Sequence, residues 1–115
     1  MDWHKVAESI HEFNFQENNM CVISVADKKI SIGLFDNKIF AFSYKCPHAS
    51  GILSNGWIDN TGNVVCPVHR YKFCMENGRN VSGEGYYLKT FPIEIRENGV
   101  YIGIENKNFF SFLKI

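Results

Sequence analysis

The sequence predicts an all-β protein, an antiparallel sandwich or barrel of roughly ten short strands. Two observations predict it. Short runs of β-branched and aromatic residues recur along the chain, and Asn-Gly and Asp-Asn pairs punctuate them at short intervals. Such pairs accept the left-handed backbone that tight hairpins require, so consecutive runs are expected to pair antiparallel.

The elements follow in order. Residues 2–7 are expected to form a first strand. The stretch Glu8 to Asn19 is polar, with Ile10, Phe13 and Phe15 spaced through it, and predicts one short helical turn beginning near Ser9. Met20 to Ala26 predicts a strand and Asp27-Lys28-Lys29 a turn. Ile30 to Phe35 alternates apolar and small residues, which predicts a half-buried strand. Asp36-Asn37 is a second turn, and Ile39 to Tyr44 a third strand of this meander. Further on, Trp57-Ile58, Val64-Val65 and Tyr71 to Met75 predict short strands separated by turns at Asn55-Gly56 and Asn60 to Asn63. Glu76-Asn77-Gly78 predicts a hairpin turn with Arg79-Asn80-Val81 as its return. Tyr86 to Arg96 predicts one or two strands interrupted near Pro92, because proline removes a ladder donor. Glu97-Asn98-Gly99 is a turn and Val100 to Glu105 the last strand. The tail 106–115 holds Phe109, Phe110, Phe112, Leu113 and Ile115. It is expected to fold back on the domain; the alternative is a homo-oligomer contact.

At 115 residues the chain is expected to be one domain, 1–115. Apolar residues make up 45 % and aromatics 15 %, enough for a core. The formal net charge is zero, which excludes a global field for nucleic acid or an anionic membrane. Asp2, His4, Lys5 and Glu8 near the N-terminus do not read as a signal peptide. No window approaches the roughly 18 apolar residues of a membrane span. A soluble, cytoplasmic protein is the expectation. Of the four cysteines, Cys21 and Cys74 lie in apolar runs and read as small buried hydrophobes rather than as disulfide partners.

The chemistry is concentrated in Cys46-Pro47-His48 and Cys66-Pro67-Val68-His69, separated by the seventeen residues Ala49 to Val65. Each stretch offers one thiolate and one imidazole. Each has proline after its cysteine, which stiffens a loop without demanding a ladder partner. A structural zinc site also uses two Cys and two His, but its pairs usually begin with two cysteines two to four residues apart. Two buried cysteines and two surface histidines without a metal is the remaining reading. Each Cys–His pair instead suits a centre with unlike ligands, two thiolates on one metal and two imidazoles on another.

The pattern C-x-H, seventeen residues, C-x-x-H resembles the Rieske [2Fe–2S] signature. The likeness to small soluble Rieske ferredoxins extends over nearly the whole chain. Trp3 to Ala7 is similar to their first strand, Lys38 to Phe42 to the strand feeding the first loop, and Cys66 to Phe73 to the second loop. Ser82-Gly83-Glu84-Gly85 resembles a third loop that covers the cluster. That loop often carries a proline and here has none, so it is expected to be looser. After the second histidine the family usually has Gly, where this chain has Arg70. The resemblance implies a larger antiparallel β part with a cluster-binding subdomain, about residues 45–85, inserted between its strands. It implies a [2Fe–2S] cluster held by Cys46, His48, Cys66 and His69. Relatives in cytochrome bc complexes carry one extra cysteine in each loop, and these pair; the matching positions here are Gly51 and Val68.

The function implied is one-electron transfer. Neutral imidazoles in place of two thiolates leave the oxidised site less negative, which raises its potential. Within the family, high-potential members place Ser two and Tyr four residues after the second histidine, both donating to sulfur. Tyr71 and Phe73 stand there, which implies a potential at the low end. A Rieske oxygenase would need a second domain with a two-His-one-carboxylate iron site, and only His4 and His11 remain. The chain is therefore expected to have no catalytic activity of its own and to pass electrons from a flavin reductase to an oxygenase or similar acceptor. The alternative is a non-catalytic subunit like the small subunit of assimilatory nitrite reductase. Lys45, Arg70 and Lys72 flank the loops and imply a basic collar for an acidic partner surface.

Overall fold

The computed structural model describes residues 1–48 and 50–105. Among these, the strands are β1 (Asp2–Ala7), β2 (Met20–Val25), β3 (Lys28–Phe35), β4 (Lys38–Ser43), β5 (Trp57–Ile58), β6 (Asn63–Val65), β7 (Lys72–Cys74), β8 (Thr90–Phe91), β9 (Ile93–Arg96) and β10 (Gly99–Ile104). All pairings between them are antiparallel, and the all-β expectation holds. Of two 3-10 turns among the described residues, Ile10–Glu12 and Leu53–Asn55, the first is capped by Ser9, whose hydroxyl accepts from the His11 amide. The apolar tail 106–115 lies outside the described residues. No helix among the described residues is long and apolar enough to cross a membrane.

Three sheets result, with strand orders β1-β10-β9, β2-β3-β4-β8 and β5-β6-β7. Two cores lie between them. The first joins Ile30, Ile32, Ile39 and Ala41 to Val100, Ile102 and Ile104. The second gathers Met20, Phe42, Leu53, Val64, Phe73, Met75 and Leu88 around Cys46 and Cys66. Strand β4 serves both: Ile39 and Ala41 enter the first core, while Phe42 enters the second and Phe40 packs against it. A period of two with apolar residues on both faces produces this.

Strand β3 departs from the half-buried expectation. Ile30, Ser31, Ile32 and Gly33 are all buried. The small residues do not face water; the second core crosses there. A Cβ on Gly33 would stand 2.5 Å from Met75 Sδ. The Ser31 hydroxyl donates to the Ser43 carbonyl at 3.2 Å, which satisfies it in the interior.

The first hairpin turns at Ala26-Asp27, with φ 50° and 63°, rather than at Asp27 to Lys29. Asp36-Asn37 turns the second, as expected, with φ 53° and 60°. Two consecutive left-handed residues match the twist of the flanking strands, so β3 starts at Lys28. Arg79-Asn80-Val81 returns along β7 as expected, through a bridge rather than a full strand. Phe73 pairs with Asn80, the Cys74 amide donates to the Arg79 carbonyl at 2.9 Å and the Val81 amide to the Lys72 carbonyl at 3.0 Å, while Arg79 also bridges Tyr87. The hairpin itself closes on Gly78, φ 80°, where a Cβ would lie 2.0 Å from the Leu88 carbonyl oxygen.

The β5–β6 hairpin that leads to Cys66 is fastened by one carboxylate. Asp59 Oδ1 accepts from the amides of Thr61 and Asn63 and from the Thr61 hydroxyl, each at 3.0 Å, and Oδ2 accepts from Asn63 Nδ2 at 3.0 Å. Partial burial pushes the Asp59 pKa up, but these bonds outweigh it and hold the group at about 2. The unfolded value is about 3.9, so this stabilisation is complete above about pH 4 and is lost as pH falls through 2. Asp59→Ala is expected to cost about 1–2 kcal/mol at neutral pH. Urea unfolding of both proteins at pH 6 and pH 2.5 checks this; the gap between them should narrow at the lower pH.

Candidate metal centre

Two loops meet at one end of the molecule. The first leaves β4 and is closed at its base by the bridge Lys45 with Ile52 and by the bond from the Leu53 amide to the Tyr44 carbonyl, 3.1 Å. Inside it the Cys46 amide donates to the Gly51 carbonyl at 2.8 Å. The second loop is a tight turn: the Cys66 amide donates to the Tyr71 carbonyl, and the Arg70 amide to the Cys66 carbonyl, both at 2.9 Å. Each cysteine is thus gripped by its own backbone just past a strand. Proline follows each one and places no demand on a partner.

The structure places the four sequence-predicted ligands as two pairs, Cys46 with Cys66 in one core and His48 against His69. Cys46 and Cys66 are 4 % and 0 % exposed and lie in the second core. His48 is half-buried and His69 exposed, with ring centroids 4.6 Å apart. His69 Nδ1 stands 3.0 Å from His48 Nε2. The arrangement is layered, two thiols within and two imidazoles outside them. His4 and His11 lie on β1 and the 3-10 turn, away from the loops.

The donor set fits a two-iron centre with unlike ligands. His48 Nδ1 is buried and has no hydrogen-bond partner among the described residues. A buried polar atom without a partner is costly and calls for an explanation such as a metal. Among the described residues no three His, Cys, Asp or Glu side chains converge as one ion would require; two irons need only two pairs. Loading would exchange the His48–His69 contact for coordination. Gly51 makes room: a Cβ there would lie 2.5 Å from Val68 Cγ2 and 3.0 Å from Cys66 Sγ. Gly51 and Val68 therefore face each other across the loops, and neither can bridge. The four cysteines form no disulfide.

Two tyrosines complete the tip, and sequence reasoning missed their role. The Tyr71 ring packs over His48 with centroids 4.1 Å apart, and Tyr86 meets the same ring at 5.4 Å, edge-on. Partial burial and then the charge of Glu84 hold the Tyr71 phenol above its usual range. An aromatic two residues after His69 was a usable signal for the first contact. Tyr86 carries no local signal, since a distant loop delivers it.

That loop is not loose. Asn80 Nδ2 donates to the Lys72 carbonyl at 3.1 Å and to Glu84 Oε1 at 2.9 Å, while Asn80 Oδ1 accepts from the Glu84 amide at 2.7 Å. Ser82 Oγ accepts from the Lys72 amide at 2.9 Å and donates to Glu84. The bond from Ser82, then that from Asn80, holds the Glu84 carboxyl below its usual range. This network replaces the missing proline. Arg70 takes φ 62°, a left-handed conformation that costs a non-glycine residue roughly 1–2 kcal/mol.

The comparisons with known proteins agree with this geometry. The family profile described as the Rieske [2Fe-2S] domain matches residues 2–92. A 3-phenylpropionate/cinnamic acid dioxygenase ferredoxin subunit from Photorhabdus laumondii is 27 % identical over 79 residues, covering 68 % of this chain and 75 % of that protein. The ferredoxin component of an alkene monooxygenase system from Xanthobacter autotrophicus is 26 % identical over 89 residues, covering 77 % and 73 %. A proposed NADH-dependent nitrite reductase small subunit from Mycobacterium tuberculosis superposes with a TM-score of 0.74 at 14 % identity, over 91 % of this chain and 96 % of that one.

Proposed function

This chain belongs to the Rieske [2Fe-2S] family, and from that premise we propose that it is a one-electron carrier whose cluster is held by Cys46 and Cys66 on one iron and by His48 and His69 on the other. The observation that carries the ligand assignment is the pairing itself, two buried thiols beneath two touching imidazoles, with His48 Nδ1 buried and partnerless. When bound, the cluster supplies a one-electron couple.

The residues of the chain do the rest. Backbone bonds at Cys46 and Cys66 hold each loop in one shape, which limits rearrangement between redox states. The core keeps water from the thiolate side. His69 is exposed, so its edge offers the short way out for an electron, while Tyr71 and Tyr86 cover His48. Residues 45–85 are the part of a single domain that carries the site.

The proposed donor is a flavin reductase and the acceptor an oxygenase, because both sequence relatives are ferredoxin components of oxygenase systems. The likeness to the nitrite reductase subunit concerns the fold alone. Four thiols without a disulfide suit a reducing compartment, and the cytoplasm is the proposed setting. Purified protein made with ample iron is expected to be coloured and to hold two irons and two acid-labile sulfides per chain. Metal and sulfide analysis with electron paramagnetic resonance of the reduced form checks this. A colourless protein with one zinc would overturn it.

A further inference from the structure

Six described residues other than glycine take a positive φ. Four are Asn or Asp: Asn19, Asp27, Asp36 and Asn37. Their short polar side chains tolerate this region, and each sits in a turn. Ala26 shares its turn with Asp27. Arg70 differs: it carries a long side chain in the left-handed region directly after His69. Glycine would adopt the same backbone without strain and could donate the same amide bond to Cys66.

The side chain gives nothing back within the fold. Arg70 is exposed, and its guanidinium makes no hydrogen bond or ion pair among the described residues. Its charged neighbours are occupied. Lys72 Nζ lies 4.0 Å from Asp59 Oδ2. The Glu84 carboxylate is held by Asn80 and Ser82. Lys45, next to Cys46, is also exposed and without an ion pair among the described residues. Two unpaired cations therefore stand by the two cluster loops, one of them at a strained position. Strain kept at an exposed residue beside a reactive group points to use outside the molecule.

Resting on the electron-carrier reading above, we propose that Arg70 is a recognition residue that offers its guanidinium, beside His69, to a carboxylate-bearing patch on the partner protein. A guanidinium meets a carboxylate through two parallel hydrogen bonds, which fixes orientation as well as charge. The partner is thereby steered to the exposed imidazole edge, where the electron crosses. Lys45 adds attraction without orientation.

The test uses the loaded protein and two small redox probes of opposite charge. The reduced protein is mixed with ferricyanide, an anion, or with hexaammineruthenium(III), a cation, over a range of ionic strength. With ferricyanide the rate should fall as salt rises, and the ruthenium rate should rise. Arg70→Gly should slow the ferricyanide reaction about two- to fivefold at low salt, and Arg70→Glu further. Arg70→Lys should retain most of the rate. The thermal midpoint of Arg70→Gly should equal or exceed that of the parent, because the strain is removed. Rates indifferent to salt and to all three substitutions would overturn the proposal, as would an Arg70→Gly protein of lower midpoint, which would make the residue structural. A colourless protein would remove the carrier reading instead, so the two failures are distinguishable.

Discussion

His48→Ala is expected to yield a folded protein without visible colour, and His69→Ala the same. Each imidazole is one of two proposed ligands on its iron, and among the described residues the other histidines, His4 and His11, lie elsewhere. Both rings sit outside the second core, so their loss should leave the fold intact. The cysteines differ. Cys66 is 0 % exposed among Phe73, Val64 and Leu53. Cys66→Ser would remove a ligand and also leave a buried hydroxyl in an apolar site, at about 1–3 kcal/mol. The histidine variants should therefore lose absorbance with far-ultraviolet circular dichroism unchanged, while Cys66→Ser loses absorbance and stability together. His4→Ala and His11→Ala should stay coloured. Full absorbance in His69→Ala would remove that residue from the ligand set.

The wild-type reduction potential is expected at the low end of the span of roughly −150 to +300 mV open to Rieske centres. Hydrogen bonds to cluster sulfurs stabilise the more negative reduced state and raise the potential. The positions where high-potential relatives donate such bonds hold Tyr71 and Phe73. Phe73 is fully buried beside Cys46 and Cys66 and has no donor. The Tyr71 ring is turned onto His48, and its hydroxyl makes no hydrogen bond among the described residues. Arg70 and Lys45 act in the opposite sense, but exposed charges are screened. Phe73→Tyr should raise the potential by roughly 40 mV or more where its hydroxyl reaches a sulfur. Protein-film voltammetry measures both. A wild-type value in the upper half of the span defeats the expectation. So does a Phe73→Tyr variant whose hydroxyl is seen to reach a sulfur without any rise.

Much of this was legible in the residues. Asp36-Asn37 announced its hairpin because both residues tolerate left-handed backbone, and Pro92 split the strand pair β8 and β9 as its missing amide requires. The spacing of Cys46, His48, Cys66 and His69 named the candidate centre before any coordinates. What escaped depends on contacts distant in sequence. Ser31 and Gly33 looked like a solvent face, since smallness reads as exposure unless Met75 is known to press there. Ala26 gave no sign of a positive φ. Asn80 was legible as part of a hairpin return and Ser82 to Gly85 as a covering loop, but the bonds among Asn80, Ser82 and Glu84 that fasten it carry no local signal. Tyr86 reaches His48 from another loop altogether.

The junction of β4 with β8 has a further consequence. Ala41 pairs with Phe91 and Phe42 with Thr90, and the Ser43 amide donates to the Lys89 carbonyl at 3.0 Å. The stretch that bears the centre thus leaves and re-enters through neighbouring rungs of one ladder. For a chain pinned at its two ends, the entropy of closing the excursion grows only with the logarithm of its length, about 0.6 kcal/mol per doubling. Insertions and deletions in its exposed turns therefore burden the sandwich little, whereas Phe73, Met75 and Leu88 stay tied to Met20 and Phe42 by the core they share. Loop composition can drift toward new partners while the frame beneath keeps its sequence constraints, a division of labour set by where the ladder closes.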